Sequence, residues 1–183
     1  AGWSNHTISR LHAHLAELLR EAAEAGEAVS QVSQAQALDP DDQAIQHLAL
    51  QLQRGCLSLT AENLAARIQK ALGQPLSDPN YPLTIAEAAL DHNQVPEADS
   101  LARILGEGTD ACRLAALRAR FAILDGDPTA AFELYHAAQS AEGEATDFGT
   151  RWARKISLAQ AAQALKQWPQ AIAYGIETVY NGK

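Results

Sequence analysis

Two aspartates, Asp125 and Asp127, flank a glycine and are the first side chains in this sequence that could hold a metal ion. A calcium loop of the EF-hand type needs Gly at its sixth position and Glu at its twelfth. Counted from Asp125, those positions hold Ala130 and His136, so the spacing excludes such a loop. We expect Asp127 instead to cap a helix that starts at Pro128.

The six histidines show no spacing typical of a metal site, which on a helix pairs ligands three or four residues apart. His12 and His14 are two residues apart and therefore point to different faces. The other four lie far from one another in the sequence, and Asp91 is adjacent to one of them; they are His6, His47, His92 and His136. We expect surface histidines and no metal.

Catalytic and nucleotide-binding motifs are also absent from the sequence. Gly106 and Gly108 lack the third glycine and the preceding strand of a dinucleotide-binding loop. Cys56 and Cys112 form no C-x-x-C pair, and buried thiols are favoured over a lone disulfide. The sequence therefore predicts no cofactor and no enzyme.

Arg113 and Arg120 lie two helical turns apart on one face and are the best candidates to anchor an acidic or carboxylate-bearing peptide. Ordinary solvated charges are the alternative interpretation. The net charge of -8 argues against a nucleic acid or an anionic membrane as the main partner, because both reward clustered Lys and Arg.

The N-terminal residues contain no apolar signal segment, and no apolar run is long enough to span a membrane. We therefore expect a soluble chain, and favour the cytoplasm over the periplasm. Because Met is absent from the sequence, we expect Ala1 to follow an excised or processed segment of a longer protein.

The elements that position these residues are predicted to be helices throughout. Alanine fills about a fifth of the chain and loses no side-chain entropy in a helix. Apolar residues recur at helical spacing in stripes, which are Ile8, Leu11, Leu15, Leu18 and Leu19, then Ile45, Leu48 and Leu52, then Leu114, Leu117, Phe121 and Leu124. Gly, Pro and Asp clusters separate about ten helices.

An internal period of 33 to 40 residues relates the second helix of each predicted pair. Inward positions recur in sets, which are Ala28, Val32 and Ala35; Leu64, Ile68 and Ala71; Ala98, Ala102 and Leu105; Ala131, Tyr135 and Ala138; and Ala171, Gly175 and Thr178. The first residue of each set is called its inward anchor. Twelve residues before the five anchors stand, in order, Ala16, Leu52, Ala86, Ala119 and Ala159. Four of these five are Ala, as a close helix crossing requires.

This period, the small residues and the stretch GDPTAAFELYHAAQ from Gly126 resemble the tetratricopeptide repeat (TPR) family. The resemblance implies an all-α, right-handed solenoid of about five antiparallel helix pairs in a single domain over 1–183. Its units are 6–42, 43–77, 78–108, 109–144 and 147–183, and an irregular helical-hairpin stack of another family is the main alternative. The family's first-helix signature survives only as the small residue.

The resemblance further implies a concave groove, lined by the first helix of each pair, that binds a partner protein or peptide. By register the groove presents Arg10, Glu17, Gln46, Gln53, Glu87, Arg113, Ala116, Arg120, Ile156, Gln160 and Gln163. We take Gln53, Glu87, Arg113, Arg120, Gln160 and Gln163 as the candidate partner-binding residues. The family's chaperone-binding clamp is not expected, because its positions hold Ala, Leu, Glu and Gln.

Two other functions stay open from the sequence. In the first, the chain would be the TPR-like region of a larger enzyme, such as a glycosyltransferase or methyltransferase. In the second, it would be a bacterial envelope or secretion assembly factor. Trp152 and Trp168 are expected to pack in the core or at an end of the array. Trp168, Ile172, Ile176 and Val179 leave an apolar edge that either continues into further chain or pairs two copies.

Overall fold

The computed structural model describes residues 3–55, 59–73, 77–143 and 147–180, which form ten α-helices and no strand. The helices are α1 (Asn5–Glu21), α2 (Ala25–Leu38), α3 (Gln43–Gly55), α4 (Ala61–Gly73), α5 (Asn80–Asp91), α6 (Val95–Ile104), α7 (Ala111–Leu124), α8 (Pro128–Ser140), α9 (Phe148–Ala164) and α10 (Trp168–Tyr180). The all-α prediction is confirmed. Within these ranges, no helix has both the length and the apolarity needed to cross a membrane.

Two compact units divide the chain, Ala1–Gly108 with α1 to α6 and Thr109–Lys183 with α7 to α10. The division falls between the third and fourth predicted repeats, and each of the five predicted repeats contains two helices. The single domain over 1–183 stays a prediction.

Four helix pairs are joined by the same turn. The residue two positions after the first helix is left-handed in each, namely Ala23 (φ 64°), Asn93 (φ 59°), Gly126 (φ 77°) and Lys166 (φ 60°). The next amide then donates to a carbonyl five residues back, as from Asp127 to Ala122 at 2.9 Å. This is the 6→1 bond of a Schellman turn. The turn between α3 and α4 includes residues outside those described.

The left-handed residues stand at the same place in four of the predicted repeats. Each lies five positions before a predicted inward anchor, and these anchors are Ala28, Ala98, Ala131 and Ala171. Three predicted inward sets are buried as a whole, those of α2, α4 and α8. In α6 the buried residues are Ala98 and Leu101, whereas the predicted Ala102 is half-buried and the predicted Leu105 follows the helix end at Ile104.

Helix caps follow from local sequence. The Asp127 carboxylate accepts a hydrogen bond from the Ala130 amide at 2.9 Å, and Pro128 opens α8, as predicted. Asp110 and Asp147 cap α7 and α9 in the same way. Each cap satisfies an amide that the first helical turn leaves without a partner.

Small side chains dominate both cores. In the first unit, buried residues of α1, α2 and α3 form one cluster that includes Ala13, Ala16, Ala28, Val32, Ala35, Ile45, Leu48, Ala49 and Leu52. In the second unit the cluster centres on Tyr135 with residues of α7, α8 and α9, and Cys112 is part of it as a buried thiol. Cys56 lies outside the described residues.

The second predicted pair is not a closely packed hairpin. Helix α4 lies mainly against α5 and α6, while α3 packs on α1, α2 and α5. The crossing position in α3 is Leu52, where the other predicted pairs carry Ala, and Leu52 is buried in the α1–α3 cluster. Leu52 therefore packs toward α1 and α2, and the close packing of α3 on α4 that a helix pair over 43–77 predicts is not observed.

Two helices present apolar stripes to solvent. The predicted apolar edge on α10 is exposed at Trp168, Ile172 and Ile176, although the side chain of Val179 lies outside what is described. Trp168 does not pack in the core and lies on the last helix, which is the other position expected for it, whereas Trp152 is half-buried. On α1 the predicted stripe splits, since Ser9, Ala13 and Ala16 are buried while Leu11, Leu15 and Leu18 are exposed.

Candidate functional site: a polar cleft between α3 and α4

An open cleft of about 330 Å³ separates α3 from α4 in the first unit. The polar side chains on its walls include Gln36, Gln46, Gln53, Arg67, Lys70 and Tyr81. Such a volume lies at the low end of the range for ligand pockets, roughly 300 to 1,000 Å³. The cleft is therefore sized for a small group or part of a peptide.

Helix α4 supplies the charged wall because its two faces differ. Leu64, Ile68 and Ala71 are buried on one face. Asn63, Arg67 and Lys70 follow at i, i+4 and i+7 and line the cleft. Helical periodicity alone places these three side chains along one stripe.

Arg67 spans the cleft through its two Nη nitrogens. Nη1 donates to the Gln46 backbone carbonyl at 2.9 Å and to the Tyr81 hydroxyl at 3.2 Å. Nη2 donates to the Gln53 Oε1 at 3.3 Å, and a further contact reaches the Gln46 Oε1 at 3.4 Å. All these acceptors are neutral, and within the described residues the Nε–H makes no hydrogen bond.

Amide side chains opposite Arg67 are fixed by one another. Gln36 donates to the Gln46 Oε1 at 2.7 Å, and Gln46 donates to the Pro40 carbonyl at 2.9 Å. These bonds hold the α3 wall in place without adding charge. Lys70 is paired only loosely, with its Nζ 3.8 Å from the carboxylate of Asp41, which is 94% exposed.

Tyr81 links the cleft to a second polar group. Its ring stacks on His47 with the centroids 5.4 Å apart. His47 contacts the Asp78 carboxylate through Nδ1 at 2.6 Å and the Thr84 hydroxyl through Nε2 at 2.8 Å. Both ring nitrogens are engaged, so His47 positions Tyr81 rather than facing the cleft as a base.

The other large polar group of the first unit is internal. Arg54 donates to Glu87 at 2.5 Å and to Asp91 at 2.7 Å. Burial lowers the pKa of Arg54, but the charges of Glu87 and Asp91 outweigh it and raise that pKa, so the guanidinium stays charged. Helix α5 is buried continuously from Tyr81 to Leu90, which is why Glu87 needs this partner.

The predicted partner-binding residues are placed unevenly. Gln53 lies in the cleft. Glu87 and Arg113 are only 1% and 3% exposed, so the expectation that they face an open groove is wrong for both, and Ala116 is buried too. Glu87 is buried because its helix, α5, is covered on all sides.

In the second unit, two of the predicted residues do meet. Arg120 on α7 donates to the Gln160 Oε1 on α9 at 3.0 Å, and Gln163 is exposed one turn further on. Binding by Gln53, Arg120, Gln160 and Gln163 stays a prediction.

Lys155, also in the second unit, is the side chain there that most resembles an amine nucleophile. Its Nζ lies 2.5 Å from Glu142 and 2.6 Å from Glu177, and 4.9 Å from the centroid of the Tyr174 ring. Burial lowers the pKa of Lys155, yet hydrogen bonds and charge from the two glutamates outweigh it and raise that pKa. A nucleophilic lysine needs the opposite shift, so the contacts stabilise a structural cation.

One group contains side chains that could ligate a metal ion, His6, Asp39 and Asp42. The His6 Nδ1 lies 2.7 Å from Asp39, a contact 33 residues apart that helical spacing does not predict. Asp42 already caps α3 through the Ala44 amide and pairs with Arg10 at 2.7 Å. The adjacent guanidinium disfavours a second cation there.

Sequence reasoning missed Arg67, Lys70 and Asn63 because it assigned the groove to first helices only. The signal was present in their spacing on α4, opposite the buried set. No family model, curated protein or solved structure matches the chain, so the site is argued from its own geometry.

Proposed function

We propose that this chain is a non-catalytic interaction scaffold, a right-handed TPR-like solenoid of helix pairs that binds a partner protein or peptide. The cleft between α3 and α4 carries the proposal. It is open, about 330 Å³ in volume, and lined by amides, a guanidinium, an ammonium and a phenol. These groups bind polar ligands, and their arrangement resembles no acid–base or nucleophile pair.

The repeated turn supports the array. Four pairs share a left-handed residue and the same 6→1 hydrogen bond at matching positions, which is what a tandem repeat of one hairpin predicts. Exposed apolar stripes on α1 and α10 also favour a protein-binding role, since large apolar side chains at helical spacing are costly to leave in water.

Site-specific photo-crosslinking tests the binding role. Ala66 lines the cleft, whereas its neighbour Ala65 is exposed and lies outside it, so the two positions form a matched pair. With benzoylphenylalanine at position 66, we expect a discrete protein adduct in an extract of the native cells. Position 65 should give none, and equal labelling from both positions, or none from either, would contradict the proposal.

Small-angle scattering tests the solenoid. A compact domain of this length has a radius of gyration of about 16 Å by the usual size scaling. A solenoid should exceed that value clearly at infinite dilution. A measured value at the compact limit would remove the solenoid while leaving the cleft in place.

A further inference from the structure

Arg67 makes no ion pair with a described residue, whereas three other arginines of the first unit do. Arg10 pairs with Asp42, Arg54 with Glu87 and Asp91, and Arg103 with Asp99. The four hydrogen bonds of Arg67 end on neutral oxygen atoms instead. A half-buried cation has lost part of its hydration, and neutral acceptors compensate less than a carboxylate does.

The Nε–H and Nη2–H edge of this guanidinium is the edge at which a carboxylate can accept two hydrogen bonds at once. The four contacts occupy Nη1 and one bond of Nη2, which leaves the Nε–H and a second N–H of Nη2 for a ligand. Lys70 stands one turn further along the same wall, and among the described residues its ion pair is the 3.8 Å approach to the exposed carboxylate of Asp41. Both charges are positive in a chain of net charge -8.

We infer that the cleft binds the carboxylate of an acidic side chain carried by an extended segment of the partner, with Arg67 as the anchor and Lys70 as the second cation. This inference rests on the proposed interaction role. The side-chain amide of Asn63 on the same wall offers both a donor and an acceptor, as a peptide group requires, which favours a peptide over a free anion. Two cations suit a single carboxylate better than a polyanion.

Small probes test the chemistry directly on the intact chain. The Nε–Hε resonance of Arg67, assigned by its loss in Arg67→Gln, is followed by NMR during titration. The probes are sodium acetate, inorganic phosphate, N-acetylglycine, and the N-acetyl N-methylamides of glutamate and glutamine. We expect saturable shifts with the glutamate amide at concentrations about tenfold below acetate, because the peptide groups add contacts worth roughly 1.4 kcal/mol.

Arg103 provides the matched control, since it is exposed and pairs with Asp99 within its own helix. Its resonance should shift only linearly, and the glutamine amide should leave Arg67 unchanged. A response of Arg67 no larger than that of Arg103 would overturn the inference. Tighter saturation by phosphate overturns the choice of carboxylate, and tighter saturation by N-acetylglycine shows a chain terminus to be the ligand instead of a side chain.

The partner adduct separates this inference from the interaction role. If Arg67→Gln leaves the yield of the adduct at position 66 unchanged, the carboxylate anchor is wrong and the scaffold stands. If the glutamate amide saturates Arg67 but no protein cross-links, the carboxylate site stands and the scaffold role is wrong. Arg67→Lys keeps the charge without the Nε–H and Nη2–H edge, and we expect it to bind the glutamate amide at least several-fold more weakly.

Discussion

Replacing Glu87 with glutamine should destabilise the first unit by about 1 kcal/mol, because the bond between two ions becomes a bond from the charged Arg54 to a neutral oxygen, and hydrogen bonds of charged groups exceed neutral ones by roughly 1 kcal/mol. The carboxylate is 1% exposed and lies 2.5 Å from a guanidinium that is itself 8% exposed, so water cannot replace it. Arg54 cannot escape by losing its proton, since an arginine guanidinium stays charged in proteins. It keeps Asp91 at 2.7 Å, which limits the loss.

Glu87→Ala removes the acceptor altogether and should cost about 3–5 kcal/mol, the usual effect of breaking a buried ion pair. The matched control is Glu21→Gln, an exposed glutamate at the end of α1, which should change stability by less than about 0.5 kcal/mol. Urea unfolding gives the free energies, and hydrogen exchange of peptides from α3 and α5 assigns the change to the first unit.

Salt distinguishes this explanation from a surface pair. A buried pair is screened little, so the difference between wild type and Glu87→Gln should persist in 1 M salt, where the Debye length is about 3 Å. A loss below about 0.5 kcal/mol, or one that vanishes in salt, would refute the reasoning, because it would place the pair among ordinary surface ion pairs.

The other predictions concern the repeated turn, an alkaline transition and the apolar edge. Gly126→Ala should destabilise the second unit by about 1–2 kcal/mol through its φ of 77° alone, since an added Cβ meets nothing within 4 Å. Ala23→Gly should stabilise the first unit by a similar amount in thermal unfolding, because Ala23 has the same left-handed conformation. A stabilising Gly126→Ala or a destabilising Ala23→Gly would contradict the equivalence of the two turns. Burial is the main cause, and Tyr174 the next, that raises the pKa of Tyr135 above its ordinary 10.0. The contribution of the protonated Tyr135 to the free energy of unfolding is therefore fully present below pH 10 and is lost as pH rises above it. Tyr135→Phe should flatten that alkaline loss of unfolding free energy, and an unchanged slope would disprove the assignment. Changing Ile172 and Ile176 together to glutamine should lower self-association in sedimentation velocity without altering the circular dichroism, and unchanged association would remove the α10 edge as a contact between copies.

Local rules account for what the sequence predicts well. Helix starts follow from caps such as Asp127 before Pro128, and helix ends follow from residues near the left-handed turns. Small residues at helical spacing predict the inward face, and Ala28, Leu64 and Ala131 are all buried. Each of these signals acts within one or two turns of chain, so a single sequence contains them.

Long-range packing decides the rest. The apolar stripe of α1 suggests that leucines face the core, yet the helix buries Ser9, Ala13 and Ala16 because they allow α2 to approach closely. By sequence register Glu87 is a groove residue, but its helix is covered on all sides in the folded unit. Its partner there is Arg54, 33 residues away in the sequence. Neither outcome can be read from helical periodicity.

The cleft shows how one repeat position can change a fold locally. Three residues after each inward anchor stand Gln31, Arg67, Leu101, Leu134 and Tyr174. Leu101 is fully buried and Leu134 packs against the core of the second unit, so apolar side chains there fill the space between paired helices. Arg67 cannot be buried in this way without its hydrogen bonds. An open cleft lined by Arg67 and Lys70 therefore lies where α4 carries an arginine at this repeat position, and the long side chain of Arg67 is available to a ligand.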